Sequence, residues 1–153
     1  MPEIGEKAPQ FNLPRDGGGT LGSADLAGKP YILFFYPRDD TSGCTKENQG
    51  FSQALADFAD AGVAVVGCSK DSVASHDKFV AKRELTVPLV SDQDGTLCED
   101  FGVWVEKKMY GKTYMGIERA TFLVDGDGVI LQAWRKVKVP GHVEAVLDAV
   151  KAL

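Results

Sequence analysis

Six consecutive apolar or aromatic residues, Tyr31 to Tyr36 (YILFFY), are closed by Pro37, the pattern of a strand buried on both faces of a parallel sheet. Beyond a polar loop, Phe51, Leu55, Phe58 and Ala59 recur at helical spacing with Gln53, Asp57 and Asp60 between them, and Gly62 stops the run. This predicts an amphipathic helix beginning near Cys44. Val63 to Cys68 (VAVVGC) predicts a second strand, Asp71 and Ser72 are cap candidates, and a helix through His76, Phe79 and Val80 to about Leu85 follows. Pro88 to Val90 is a third short apolar run, Asp92 to Gly95 a turn, and Leu97, Cys98 and Phe101 mark a further helix. Strands alternating with helices imply parallel pairing through right-handed crossovers.

The pattern then changes. Ala120 to Val124 and Val129 to Trp134 flank Asp125-Gly126-Asp127-Gly128, which predicts an antiparallel hairpin. Val143, Val146, Leu147 and Val150 give the stretch Pro140 to Leu153 one apolar face, a terminal helix. The expected architecture is α/β, a central mixed sheet with helices on both faces. The Asp-Gly-Asp-Gly element lacks the third acidic ligand and closing glutamate of a calcium loop, so it reads as a turn.

Composition narrows the picture. The chain has 153 residues, 44% of them hydrophobic, enough for one domain with a full core. A net charge of −5 gives no basic field to draw nucleic acid or an anionic membrane. The opening MPEIGEKAPQF has no basic region followed by an apolar one, and no apolar run approaches the roughly 20 residues of a membrane span, so a cytoplasmic location is expected. Cys44, Cys68 and Cys98 form no C-x-x-C, and neither His76 nor His142 stands at finger-like spacing from a cysteine. Neither a disulfide framework nor a structural zinc site is expected.

The candidate chemistry sits in YPRDDTSGCTKE, Tyr36 to Glu47. Cys44 falls where a strand gives way to a helix, and free backbone N–H groups and the positive end of the helix dipole there favour a thiolate over a thiol. Most free cysteines are buried and inert, but the polar run Arg38 to Gly43 would not line an apolar core. In a parallel sheet this loop leaves the carboxyl edge, where ligands bind.

Pro37, Thr41, Cys44 and Glu47 fit P-x-x-x-T-x-x-C followed by a glutamate three residues on, which resembles the peroxiredoxins. GEKAPQFNL, GCSKDSVASHDKF, PLVSD, GIERATFLVD and QAWRKVKVPGH extend the resemblance over nearly the whole chain, to the bacterioferritin comigratory protein or peroxiredoxin Q branch. The resemblance implies one thioredoxin-like domain of AhpC/TSA type over residues 1–153, acting as a monomer. It also implies a thiol-dependent peroxidase that reduces hydrogen peroxide and organic hydroperoxides without metal, flavin or haem. Cys44 would be the peroxidatic nucleophile, assisted by Thr41 and by Arg119 as the distant active-site arginine. Pro37 would shape the loop and shield one side of the site, the backbone N–H groups of Gly43 and Cys44 would face the sulfur and the peroxide, and Glu47 would orient the arginine or the loop. By itself, Arg119 beside Glu118 reads as a surface ion pair. Tyr36 and Trp104 read as packing, His76 as a helix-surface histidine, and Lys136 and Lys138 as a basic strand edge.

The chain departs from the family at two places. Ser42 stands where proline is usual, and the positions that carry a resolving cysteine in many members hold Gln49 and Val80. Three cycles remain open. Cys44 works alone with thioredoxin, glutaredoxin or a small thiol as reductant, or Cys68 resolves from the end of the neighbouring strand, or Cys98 resolves from its helix. A sensor or relay that passes oxidation from Cys44 to a partner protein is the alternative function. The lack of C-x-x-C argues against a disulfide reductase.

Overall fold

The computed structural model describes residues 2–153. In chain order its elements are β1 (Asn12–Pro14), β2 (Thr20–Gly22), α1 (Ser23–Leu26), β3 (Tyr31–Phe35), α2 (Ser42–Asp60), β4 (Ala64–Ser69) and α3 (Val73–Arg83). There follow β5 (Leu89–Ser91), α4 (Leu97–Asp100), β6 (Trp104–Met109), β7 (Lys112–Ile117), β8 (Ala120–Val124), β9 (Ile130–Trp134) and α5 (His142–Lys151). The central sheet runs β5-β4-β3-β8-β9. β3, β4 and β5 are parallel, while β8 pairs antiparallel with both β3 and β9. The expected mixed sheet is present.

β3 is buried on both faces, and its alternation sorts the core into two layers. Ile32 and Phe34 point toward α2, α3 and α5, where Phe51, Phe58, Phe79, Val143, Val146 and Val150 gather. Phe34 stacks on Phe51 with ring centroids 4.4 Å apart. Leu33 and Phe35 point the other way, toward Leu97, Cys98 and Phe101 of the α4 region, with Phe11 and Leu26 from the N-terminal segment. Two right-handed crossovers stepping in one direction put α2 and α3 on the same face.

The N-terminal segment straps this second face and reaches both sides of the sheet. At one side Gly5 N–H donates to the Ile130 carbonyl and Ile130 N–H to that of Glu6, both at about β9. At the other, Arg15 bridges Val90 and Asp16 N–H donates to the Leu89 carbonyl at 2.9 Å.

β6 and β7 form a hairpin that hydrophobic patterning does not signal, because most of its residues are exposed and Lys107, Lys108 and Lys112 break any apolar alternation. Its two-residue turn places Tyr110 at φ 51° and Gly111 at φ 75°, the primed geometry that matches strand twist. The tip leaves Tyr110 96% exposed, with Met109, Tyr114 and Met115 also open.

Register is what assembles the site. Phe35 at the end of β3 lies opposite Cys68 on one side and Ala120 on the other. The loop leaving β3, the loop leaving β4 and the residue entering β8 therefore share one edge.

Candidate active site

α2 starts at Ser42, with Thr41 as an extended N-cap residue (φ −87°, ψ 157°). Its first intrahelical bond runs from Thr45 N–H to the Thr41 carbonyl at 2.8 Å. The N–H groups of Ser42, Gly43 and Cys44 thus have no acceptor within the helix, and they lie at the positive end of a 19-residue helix. The Thr41 side chain does not cap; its hydroxyl donates to the Arg38 carbonyl at 3.0 Å.

Cys44 is only 1% exposed. Arg119 Nη2 donates to its sulfur at 3.4 Å, and Arg119 Nη1 donates to Glu47 Oε1 at 2.7 Å. Cys44 and Glu47 are three apart on α2 and so share a face. Gly43 permits the approach, since a Cβ there would sit 3.2 Å from Arg119 Nη2. Pro37 is half-buried at the loop's start.

The electrostatics are uneven. Burial pushes Glu47 up to about 7, against the opposing charge and hydrogen bond of Arg119. Glu47 Oε2 has no partner, nor do the neighbouring Thr45 Oγ1 and Asn48 Oδ1. Burial works against the Arg119 cation, but the charges of Glu47 and Cys44 more than offset it and hold the group above its ordinary value. Beside the site, burial and then the Arg119 charge push His142 down to about 4, and its Nε2 lies 2.8 Å from Thr121 Oγ1. Burial followed by the Arg119 charge also lowers Lys107, midway along β6.

Several sequence readings change. Arg119 is not paired with Glu118, whose carboxylate instead takes Arg135 at 2.9 Å. Lys136 and Lys138 do not extend a strand: β9 ends at Trp134, Lys136 turns at φ 48°, and Val137 N–H donates to the Arg119 carbonyl at 3.0 Å. The packing reading of Trp104 holds: it is half-buried against the core, with the Lys70 ammonium 5.1 Å from its ring centroid.

His76 is not on a helix surface but wholly buried. Its Nδ1 lies 2.7 Å from Asp39 Oδ2 and its Nε2 2.9 Å from the Val90 carbonyl. The Tyr36 hydroxyl donates to Asp39 Oδ1 at 2.6 Å and the Ser75 hydroxyl to Oδ2 at 2.7 Å. Sequence reasoning missed this cluster, although two adjacent aspartates in a loop beside a histidine on an otherwise apolar helical stripe were a usable signal.

Cys68 closes a neighbouring strand as expected, but its side chain points to the far layer. It sits there with Cys98, away from Cys44, which belongs to the α2 layer. Both are fully buried free thiols, and the Cys68 sulfur followed by burial push the Cys98 thiol far up.

No helix among the described residues is long and apolar enough to cross a membrane. The AhpC/TSA family profile matches residues 4–133. The putative peroxiredoxin bcp of Coxiella burnetii is 54% identical over 145 residues, covering 95% of this chain and 96% of that one. Escherichia coli peroxiredoxin Bcp is 39% identical, covering 97% and 96%. Among solved structures, Xanthomonas campestris peroxiredoxin Q superposes with a TM-score of 0.88 at 49% identity, over 93% of this chain and 90% of that one. A Xylella fastidiosa PrxQ mutant does so at 0.94 and 42%, over 99% and 97%. A thioredoxin-type sheet edge carrying Cys44 against Arg119, together with these likenesses along the whole chain, places it in the AhpC/TSA family, as a peroxidase of the Bcp/peroxiredoxin Q branch.

Proposed function

We propose that Cys44 is the peroxidatic nucleophile of a one-cysteine cycle acting on hydrogen peroxide and organic hydroperoxides. The observation that carries this reading is the 3.4 Å bond from Arg119 to the Cys44 sulfur at a helix N-terminus, with both other thiols in the opposite layer. The Cys44 thiolate attacks one peroxide oxygen in line with the O–O bond. The S–O bond forms as the O–O bond breaks, the sulfur becomes a sulfenic acid, and the departing oxygen takes a proton to leave as water or an alcohol.

Charge spreads along S–O–O in that step, and fixed donors meet it without reorganising. Arg119 supplies a permanent cation, and the N–H groups of Gly43 and Cys44 supply the helix terminus. With its own proton on the Arg38 carbonyl, Thr41 Oγ1 presents lone pairs that can accept the hydroperoxide proton. Glu47 holds Arg119 in register, and Pro37 shields the loop.

A thiol then condenses with the sulfenic acid, releasing water and leaving a mixed disulfide, and a second thiol restores Cys44. The reductant is a small thiol, thioredoxin or glutaredoxin, and the setting a reducing cytoplasm in which the chain works as a monomer. Support for organic substrates comes from the Xanthomonas campestris bacterioferritin comigratory protein, whose structure concerns alkyl peroxide reduction.

Peroxide consumption with dithiothreitol tests the reading: Cys44→Ser should abolish it, and an unchanged rate refutes the assignment. Mass spectrometry after one equivalent of peroxide should show a sulfenic adduct. A Cys44 bridge to Cys68 or Cys98 in most molecules would overturn the one-cysteine cycle.

A further inference from the structure

We propose that Glu47 stands beside the Cys44 thiolate as a neutral acid, the pair keeping one proton between them, so that the single cation Arg119 answers a single anion. The consequence for peroxide reduction rests on Cys44 being the peroxidatic residue; the proton count does not.

Charge counting within the site leads to this state. Cys44 and Glu47 are 1% and 0% exposed, and among the described residues the one cation within hydrogen-bond reach of either is Arg119. Its two arms are split, Nη1 to Glu47 Oε1 at 2.7 Å and Nη2 to the Cys44 sulfur at 3.4 Å. A carboxylate that held the guanidinium alone would take both arms in a fork. Two acidic groups here compete for one charge in a site closed to solvent, so ionising both costs far more than ionising one. The proton that remains belongs to the pair.

The unpartnered atoms say where that proton rests. Glu47 Oε2, Thr45 Oγ1 and Asn48 Oδ1 are buried within one turn of α2, and none has a hydrogen-bond partner. Asn48 Nδ2 donates to the Cys44 carbonyl at 2.8 Å, which makes Oδ1 the free end of that amide. An ionised Glu47 would bury a charged oxygen without a donor. With a proton on Oε2 the same atom becomes a donor, while Oε1 still accepts from Arg119. The sulfur faces Arg119 and also the positive end of α2, so of the two groups it is better placed to be the anion.

The surroundings favour the same division. Burial pushes Glu47 up to about 7 against the Arg119 charge and hydrogen bond, and a thiolate on the same cation repels the carboxylate further. His142 of α5 supplies no second cation, since burial and Arg119 push it down to about 4 against the charge of Glu144. Glu118 is taken by Arg135, and Lys107 of β6 feels the charges of Arg119 and Cys44.

Glu47 is accordingly a positioning residue that acts through Arg119. As a neutral acid it leaves the cation to the sulfur and to the charge growing along S–O–O. Once ionised it draws Arg119 to itself, and oxidation slows.

Carbon NMR of the reduced parent, labelled at its glutamate carboxyl carbons and assigned by the signal lost in Glu47→Gln, reads the proton directly. Glu47 should be mainly protonated at pH 6.5, and its midpoint should drop by roughly one pH unit in Cys44→Ser, where no thiolate competes. A mainly ionised Glu47 at pH 6.5, or one midpoint in both proteins, overturns the proposal. Stopped-flow oxidation adds a readout that a purely structural Glu47 would not move. The parent rate should fall roughly 10-fold from pH 7 to 9. Glu47→Gln, which resembles the neutral acid, should match the parent at pH 6.5 and hold its rate to pH 9. Slowing of Glu47→Gln at every pH, or parallel profiles, overturns the proposal. Peroxide consumption retained in Cys44→Ser would instead sink the peroxidatic assignment, while the NMR midpoints still decide the proton.

Discussion

Replacing Arg119 with methionine removes a cation from two partners at once, and the two losses separate by pH. For the sulfur, a unit charge 3.4 Å away at an effective dielectric near 20 gives an upper bound of about 5 kcal/mol. A charge-assisted hydrogen bond nets about 1.5–3 kcal/mol, which predicts oxidation slower by roughly 10- to 150-fold. For Glu47, an unpaired buried charge costs about 3–5 kcal/mol, but the carboxyl can escape by keeping its proton. Its folded value of about 7 already stands above the ordinary 4.5. A carboxyl raised on folding contributes stability fully present below the unfolded value and lost as pH rises through the folded one. Without Arg119 the folded value rises further, so the penalty is small near pH 5.5 and opens above about pH 7. Urea unfolding at pH 5.5 and 8.5 should show that widening in Arg119→Met, and Arg119→Met/Glu47→Gln should recover stability at pH 8.5 while remaining slow with peroxide. Equal stability of the single and double variants at pH 8.5, or a parental oxidation rate in either, would refute the reasoning.

Glu47 and His142 should oppose one another in the pH dependence of stability. His142 is lowered on folding from 6.5 to about 4, so its contribution is present above 6.5 and lost as pH falls toward 4, the reverse of Glu47. The unfolding free energy from urea titration should rise with pH between 4 and 6.5 in Glu47→Gln and fall between 4.5 and 7 in His142→Gln, each by at most about 3 kcal/mol. Gly43→Ala should displace Arg119 Nη2, which would meet the new Cβ at 3.2 Å, and slow oxidation on the order of 10-fold with little loss of thermal stability. Cys68→Ala and Cys98→Ala should keep parental turnover with dithiothreitol, and loss of activity in either, at unchanged folding, would restore it as a resolving candidate.

Strands β3 and β4, helix α2 and the β8–β9 hairpin were legible because each buries a continuous or periodic apolar face. The β6–β7 hairpin was not, since it buries almost none and is held by strand pairing and a Tyr-Gly turn. Cys44 was readable because local patterning places it at a helix start, whereas Thr41 and Glu47 took on roles only through the resemblance. Arg119 could be reached only by resemblance: its meeting with Cys44 depends on β8 pairing beside β3, a register that no local pattern encodes. His76 was misread because an ionisable side chain is buried only where a partner meets it, and that partner, Asp39, lies 37 residues away along the chain. The direction of Cys68 was likewise hidden, because in a strand buried on both faces neither side of the pleat is marked by polarity.

The N-terminal strap has a consequence for association. A five-stranded sheet offers two edges on which another chain could continue the backbone ladder. Here one continuous segment occupies positions on both, at Ile130 through Gly5 and Glu6 and at Leu89 and Val90 through Arg15 and Asp16. Strand addition at those positions would first have to peel this segment away, together with the buried Phe11 that anchors it. Those stretches of the two edges are thereby closed to templated growth. The most exposed large hydrophobic side chain among the described residues, Tyr110, stands instead at the tip of the β6–β7 hairpin.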